Sequence, residues 1–262
     1  MDLGLHEQVA LVTGGSKGIG LACAQALAAE GARVAIASRD PAHLDSAVRT
    51  LAQAGHAVQA FQADLCQAEA GERLVQEVES SLGPLQLLVC SAGAAQRTPP
   101  AELQAGHWHA AMQAKYFTTI HAVQPAIGRM AARGGGSIVN IVGTGGKLAS
   151  PTHLPGGAAN AALMLASVGL ARAFGPQGVR VNVVNPGTVA TARMEQGLQA
   201  QARMTGQSVE ELRERLGREQ PLGRLAQPED IARVVLFLAS PAAAYVSGAV
   251  LTVDGAMTPI VV

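Results

Sequence analysis

Tyrosine and lysine are scarce in this chain: among 262 residues there are only Tyr116 and Tyr245, and only Lys17, Lys115 and Lys147. Chemistry that needs a phenol or an ammonium at a chosen place has few positions to draw on. Cysteine is equally thin. Cys23, Cys66 and Cys90 are odd in number and show no Cys-x-x-Cys spacing, which argues against a disulfide framework and a zinc site and predicts buried, reduced thiols. No metal site is expected. Net charge is also missing, with 19 basic against 19 acidic side chains, so there is no electrostatic footprint for nucleic acid or an anionic membrane. The opening residues 1–7 carry no basic region ahead of an apolar core, and no uninterrupted apolar run approaches membrane-spanning length. A cytoplasmic protein acting on a small molecule is the expectation.

What the chain does have is apolar residues, 48% of the total with mean hydropathy +0.22, enough for one sizeable core and no second domain. Its organising stretch is Thr13-Gly14-Gly15-Ser16-Lys17-Gly18-Ile19-Gly20, between the apolar run Gln8 to Val12 and an alanine-rich segment from Leu21 to Glu30. Strand, glycine turn and helix in that order let backbone N–H groups and a helix N-terminus meet a phosphate. Extended runs follow at Arg33 to Arg39, His56 to Leu65, Leu85 to Ser91, Ser137 to Val142, Val179 to Val184 and Val250 to Val253. Between them lie helical patterns at Pro41 to Ala54, Gln67 to Leu82, one long helix from Pro100 to about Arg133 containing Pro125, Pro155 to Phe174, Val209 to Glu219 and Pro228 to Ala239. Such alternation predicts a parallel sheet covered by helices on both faces.

Together these motifs resemble the short-chain dehydrogenase/reductase family over nearly the whole chain. The residues that carry the likeness are Thr13-Gly14-x-x-x-Gly18-Ile19-Gly20, Asp64-Leu65, Ala92-Gly93, Arg180-Val181-Asn182 with Asn185-Pro186-Gly187, and Val246-Ser247-Gly248 with Val253-Asp254-Gly255. The resemblance implies a Rossmann-type three-layer αβα sandwich, a seven-stranded sheet of order 3-2-1-4-5-6-7, a substrate lid at about 190–220 including Arg193, Met194 and Met204, and a homotetramer or dimer. It also implies an oxidoreductase with a nicotinamide dinucleotide.

An NAD site generally has an acidic residue at the end of the second strand. Ser38 stands there, followed by Arg39, with Lys17 inside the glycine turn; two cations suit a 2′-phosphate and favour NADP(H). The alternative is that both cations are solvated and Asp40 meets the ribose. By resemblance, Gly14, Ser16, Lys17, Gly18, Ile19 and Gly20 would hold the pyrophosphate, Asp64 and Leu65 the adenine, and Ser91, Ala92 and Gly93 would pass the adenosine ribose. Pro186, Gly187, Val189 and Thr191 would address the carboxamide and phosphates through backbone N–H groups and the threonine hydroxyl.

The family's catalytic asparagine, serine, tyrosine and lysine fall on Lys115, Gly143, Gly156 and Asn160, none of which matches. Without that tyrosine and lysine the nicotinamide end would be held weakly or not at all, and removal of the serine and tyrosine side chains would open space beside it. Two alternatives follow. The chain keeps an NADP(H)-type cleft but is non-redox, or inactive in ordinary ketone reduction; or it is an active oxidoreductase with rewired proton donors, for which Lys115 and His153 are the candidates. Against these stand a lysine reaching solvent and a surface histidine. Arg97 and Lys147 lie in loops that would rim the substrate side and could bind an anionic group. Tyr116 is expected in the core or an interface, Tyr245 in a structural role, and the lid charges on a solvated face.

Overall fold

The computed structural model describes residues 3–93 and 95–260. Strands β1 (Val9–Thr13), β2 (Arg33–Ser38), β3 (Val58–Gln62), β4 (Leu85–Cys90), β5 (Gly136–Ile141), β6 (Val179–Pro186) and β7 (Val250–Val253) form one sheet. All neighbours are parallel, in the order β3-β2-β1-β4-β5-β6-β7. Alternate side chains leave opposite faces, as the pleat requires. Ala10, Val12, Val34 and Ile36 face one core, which α1 (Gly18–Ala29), α2 (Pro41–Gln53) and α9 (Pro228–Ala239) complete. Val9, Leu11, Ala35 and Ala37 face the other, closed mainly by α3 (Ala68–Leu82) and α5 (Thr118–Ala132). The expected three-layer sandwich and strand order are therefore present. The order in which the chain adds strands reverses between β1 and β4, and ligands of open parallel sheets lie outside the strand C-termini at such a point.

The expected single helix from Pro100 to Arg133 is in fact broken. Pro100–Glu102 form a short 3₁₀ turn, and α4 (Ala105–Ala111) begins only where Gln104 N–H meets His107 Nδ1 at 3.1 Å. Residues Met112–Phe117 then widen into a π-helical turn before α5. Wide turns loosen the regular backbone ladder, and here Thr118 Oγ1 donates to Gln113 O (2.8 Å) while Thr119 Oγ1 donates to Lys115 O (3.0 Å). Lys115 sits in this turn.

Helix α6 (Leu154–Phe174) starts at Leu154, which places Gly156 and Gly157 inside its first turns. With the flanking turns, the stretch Pro151–Gln177 is by length and average composition long and apolar enough to cross a membrane, but its inner face packs Leu163 and Met164 against Val142 and Val183. Residues 190–220 hold two helices, α7 (Ala192–Thr205) and α8 (Val209–Arg218), the latter capped by Ser208 and Glu211. Two further expectations need correction. Cys66 is only partly buried, unlike Cys23 and Cys90, and Tyr245 is fully exposed rather than built into its own subunit. Tyr116 is half-buried against the Leu163–Met164 cluster and meets Phe117 edge-on.

Candidate active site

At the end of β1 the backbone turns through Gly14 at φ +68°, and a Cβ there would lie 2.7 Å from Ala92 N. Only glycine lets the β1 and β4 loops touch in this way. Ser16, Lys17, Gly18, Ile19 and Gly20 lead straight into α1, whose first turn carries no acidic residue and whose N-cap, Lys17, makes no side-chain cap. The helix N-terminus thus keeps its positive end free for an anion.

Lys17 Nζ donates to His43 Nε2 at 2.5 Å, and His43 Nδ1 lies 2.9 Å from Asp40 Oδ2. Asp40 Oδ1 accepts the N–H groups of Ala42 and His43, capping α2. Its carboxylate is therefore committed on both oxygens, against the alternative in which Asp40 meets a ribose. Ser38 is half-buried at the strand end, and Arg39 is exposed beside it with no carboxylate of a described residue paired to it or to Lys17. The residues fit a 2′-phosphate.

Asp64 is exposed, with Oδ1 accepting Cys66 N–H at 3.1 Å, and Leu65 is buried beneath the turn. Ser91, Ala92 and Gly93 leave β4 over the same crevice, with Ser91 N–H donating to Thr13 O. Pro186 and Val189 are buried; Thr191 accepts Met194 N–H at 3.3 Å as the N-cap of α7, which leaves its own hydroxyl proton available. Gly187 departs from expectation. Its N–H already donates to Val253 O at 3.1 Å, so that group is spent inside the sheet.

Further along the crevice the structure brings Lys115, Gly143, His153 and Asn160 together. Lys115 Nζ donates to Val142 O at 3.1 Å, immediately before Gly143. A Cβ on Gly143 would lie 3.4 Å from Asn160 Nδ2, and one on Gly145 would lie 3.1 Å from His153 Cδ2. The space expected above Gly156 is not open: a Cβ there would fall 2.2 Å from His153 Cε1, because the imidazole folds back over the first turn of α6. His153 is thus not a surface residue, and Lys115 does not reach for solvent. His153 Nδ1 and Asn160 Oδ1 are both buried without a protein partner. Unsatisfied buried polar atoms on two residues of one cluster call for hydrogen-bonding partners from outside the protein, whether water or a ligand.

The electrostatics are one-sided. Burial, with the nearby Arg193 charge adding, pushes Lys115 down to about 8. His153 is lowered by burial first, then by Arg97, Lys115 and Arg193, so its neutral form is favoured. Arg193, at the start of α7, donates from Nη2 to Ala95 O at 2.9 Å, and Arg97 Nη1 reaches Thr152 Oγ1 at 3.4 Å. Sequence reasoning left Arg193 among the solvated charges of residues 190–220, whereas the structure brings its charge to bear on Lys115 and His153. Lys147 Nζ instead lies 3.4 Å from Val250 O, away from this group. Burial pushes Cys23 and Cys90 up to about 12, too high for either to serve as a thiolate. Among the described residues no cluster of His, Cys, Asp or Glu is placed to hold a metal ion.

Residues 14–258 match the family model described as enoyl-(acyl carrier protein) reductase. Over 256 residues the chain is 35% identical to 2-(S)-hydroxypropyl-CoM dehydrogenase 3 of Xanthobacter autotrophicus, covering 98% of each protein. It superposes with TM-score 0.93 and 29% identity on L-sorbose reductase from Gluconobacter frateurii complexed with NADPH and L-sorbose, over the full length of both. A further similar structure is an NADPH-bound short chain oxidoreductase from Pseudomonas aeruginosa PAO1 containing an atypical catalytic center, with TM-score 0.88 and 32% identity over 97% of this chain and 98% of that one.

Proposed function

Because the chain belongs to the short-chain dehydrogenase/reductase family, we propose that it is an NADP(H)-dependent oxidoreductase of small carbonyl or hydroxyl compounds in which Lys115 and His153 handle the proton. The observation that carries this reading is the convergence of a Lys115 ammonium lowered to about 8 and the His153 ring at the position where the family's tyrosine would stand. The geometry thereby favours rewired chemistry over a non-redox cleft. Support for the cofactor comes from Lys17 in the glycine turn, from Ser38 and Arg39 at the end of β2, and from two similar structures that contain NADPH.

When bound, the nicotinamide supplies hydride to a carbonyl carbon or takes it from a carbinol. In the reductive direction Lys115 holds the proton that the carbonyl oxygen needs as it becomes an alkoxide; afterwards the neutral amine recovers a proton from solvent. In the oxidative direction the neutral amine accepts it. A group with pKa near the working pH is efficient in both roles. His153, kept neutral by its surroundings, presents a hydrogen-bonding ring to the same oxygen, and Asn160 Oδ1 offers an acceptor beside it.

The test is NADPH oxidation followed spectroscopically with a panel of small ketones and polyhydroxy ketones. Lys115→Met is expected to lower kcat by about 10²-fold or more, the usual scale for removing a general acid. Reduction should decline, and oxidation rise, as pH passes through about 8, where Lys115 loses its proton. A Lys115→Met protein with undiminished turnover and the same pH profile overturns the proposal.

A further inference from the structure

We propose that the cleft takes an anionic substrate, a small oxo- or hydroxy-acid whose carboxylate is held by Arg97 and Arg193 while its carbonyl or hydroxyl lies at Lys115 and His153. This rests on the oxidoreductase reading above and adds the substrate class to it.

Four basic side chains from four separate elements meet here. Arg97 comes from the loop after β4, Lys115 from the π-helical turn, His153 from the turn before α6, and Arg193 from the start of α7. The backbone ties them into one wall. Arg193 is hydrogen-bonded to Ala95 O, two residues before Arg97; Arg97 reaches Thr152, the neighbour of His153; and Thr98 N–H donates to Thr152 O at 3.0 Å. Every charge acting appreciably on Lys115, His153 or Arg193 is positive.

Elsewhere in the molecule arginines meet carboxylates. Arg129 and Arg133 share Glu79, Arg224 pairs with Asp230, and Arg213 of α8 takes Glu195, the one acidic residue in the first turn of α7. That last pairing matters. It engages Glu195, two residues from Arg193 in sequence, and no carboxylate of a described residue pairs with Arg97 or Arg193. Arg97 and Arg193 are exposed while Lys115 and His153 are partly buried, and like charges brought together in this way repel until an anion joins them. Arginine is suited to the task, since its planar fork binds carboxylate through paired N–H donors. The 2′-phosphate is assigned to Lys17 and Arg39, and neither of those cations is among the charges that act on Lys115, His153 or Arg193.

The experiment compares 4-oxopentanoate, its neutral amide 4-oxopentanamide and the sulfonate analogue, using protein saturated with NADP⁺. Binding is read by calorimetry, and turnover separately with NADPH. The carboxylate is expected to bind at least about tenfold more tightly than the amide, the scale of one charge-assisted hydrogen bond. Arg97→Gln/Arg193→Gln should erase that preference. Lys115→Met, which removes turnover, should leave most of it in place. A sulfonate preferred over the carboxylate keeps the anionic site and changes the oxyanion. Equal binding of acid and amide overturns the inference, as does failure of all three probes to bind. So does a double arginine variant that loses NADPH affinity while keeping the carboxylate preference, since the arginines would then serve the cofactor. Turnover of neutral ketones without an acid preference defeats this inference alone; acid preference without turnover of any probe defeats the oxidoreductase reading alone.

Discussion

Lys115 carries opposing demands at one side chain. Its ammonium donates to Val142 O, yet burial and Arg193 work against its charge. In the unfolded chain the group keeps its proton up to the ordinary value of 10.5, whereas in the folded protein it gives it up near 8. Between these limits the unfolded state binds more protons, so stability rises with pH across that window. Below about 8 both states are protonated and the folded protein bears the full desolvation penalty. Lys115→Met removes the penalty along with the proton donor. The variant should therefore gain in melting temperature relative to the parent at pH 7, and the gain should shrink steadily from pH 8 towards 10.5. Parallel thermal melts of the two proteins across that range measure it. A gap that stays constant with pH would show that Lys115 is not desolvated. A side chain that weakens its own fold in this way is the kind of residue that activity, rather than packing, explains.

At the scale of elements, the site depends on how closely the first turns of α6 approach the turn after β5. A Cβ on Gly146 would lie 2.8 Å from Ala161 N and 2.9 Å from Asn160 C, both backbone atoms of α6. Gly146→Ala must therefore push the helix outward. The expected cost is about 1–3 kcal/mol, the usual range for overpacking, seen as a drop of about 2–4 °C in Tm per kcal/mol. Asn160 and His153 move with the helix, so activity should fall more than stability does; an unchanged Tm would contradict the packing described. Much of the architecture was legible from the chain. The 3.6-residue and two-residue patterns, together with turn glycines such as Gly14, place all seven strands, while their order was implied by the family resemblance and not by the patterns. Less legible were features made by one element acting on another. Nothing local in Met112–Phe117 specifies a π-helical turn, because the hydroxyls that satisfy it come from Thr118 and Thr119 one turn later. Gly156 could be recognised as a missing tyrosine. That His153 fills the gap follows only once α6 is known to start at Leu154, which puts the ring three residues ahead, over its own helix.

For the whole molecule, several large apolar side chains remain on the outside, most of them in two sets of elements. Leu165, 76% exposed, and Val168 lie on the outer face of α6, with Trp108 and Phe117 exposed on α4 and the turn before α5. Phe237, Tyr245, Leu251 and Met257 form the second group near β7 and α9. A helix apolar on both its inner and outer faces normally has a partner on each. That requirement also accounts for the membrane-like composition of Pro151–Gln177, whose buried half meets the sheet. Self-association through the outer face of α6 gives a closed, symmetric assembly in which the same patch meets its copy. The expectation is a homodimer or homotetramer in solution. Leu165→Glu/Val168→Glu places two carboxylates on each side of such a contact, so sedimentation should show the variant shifted to a smaller species with its helical signal intact. A parent protein that sediments as a monomer, or a double variant whose mass matches the parent's assembly, would rule this face out as the contact. Lys115 and His153, proposed above to handle the proton, lie in segments that adjoin this face, Lys115 two residues before Phe117 and His153 just ahead of α6. A smaller species should accordingly also show a higher KM, and that coupling separates a contact that supports the site from one that only covers apolar surface.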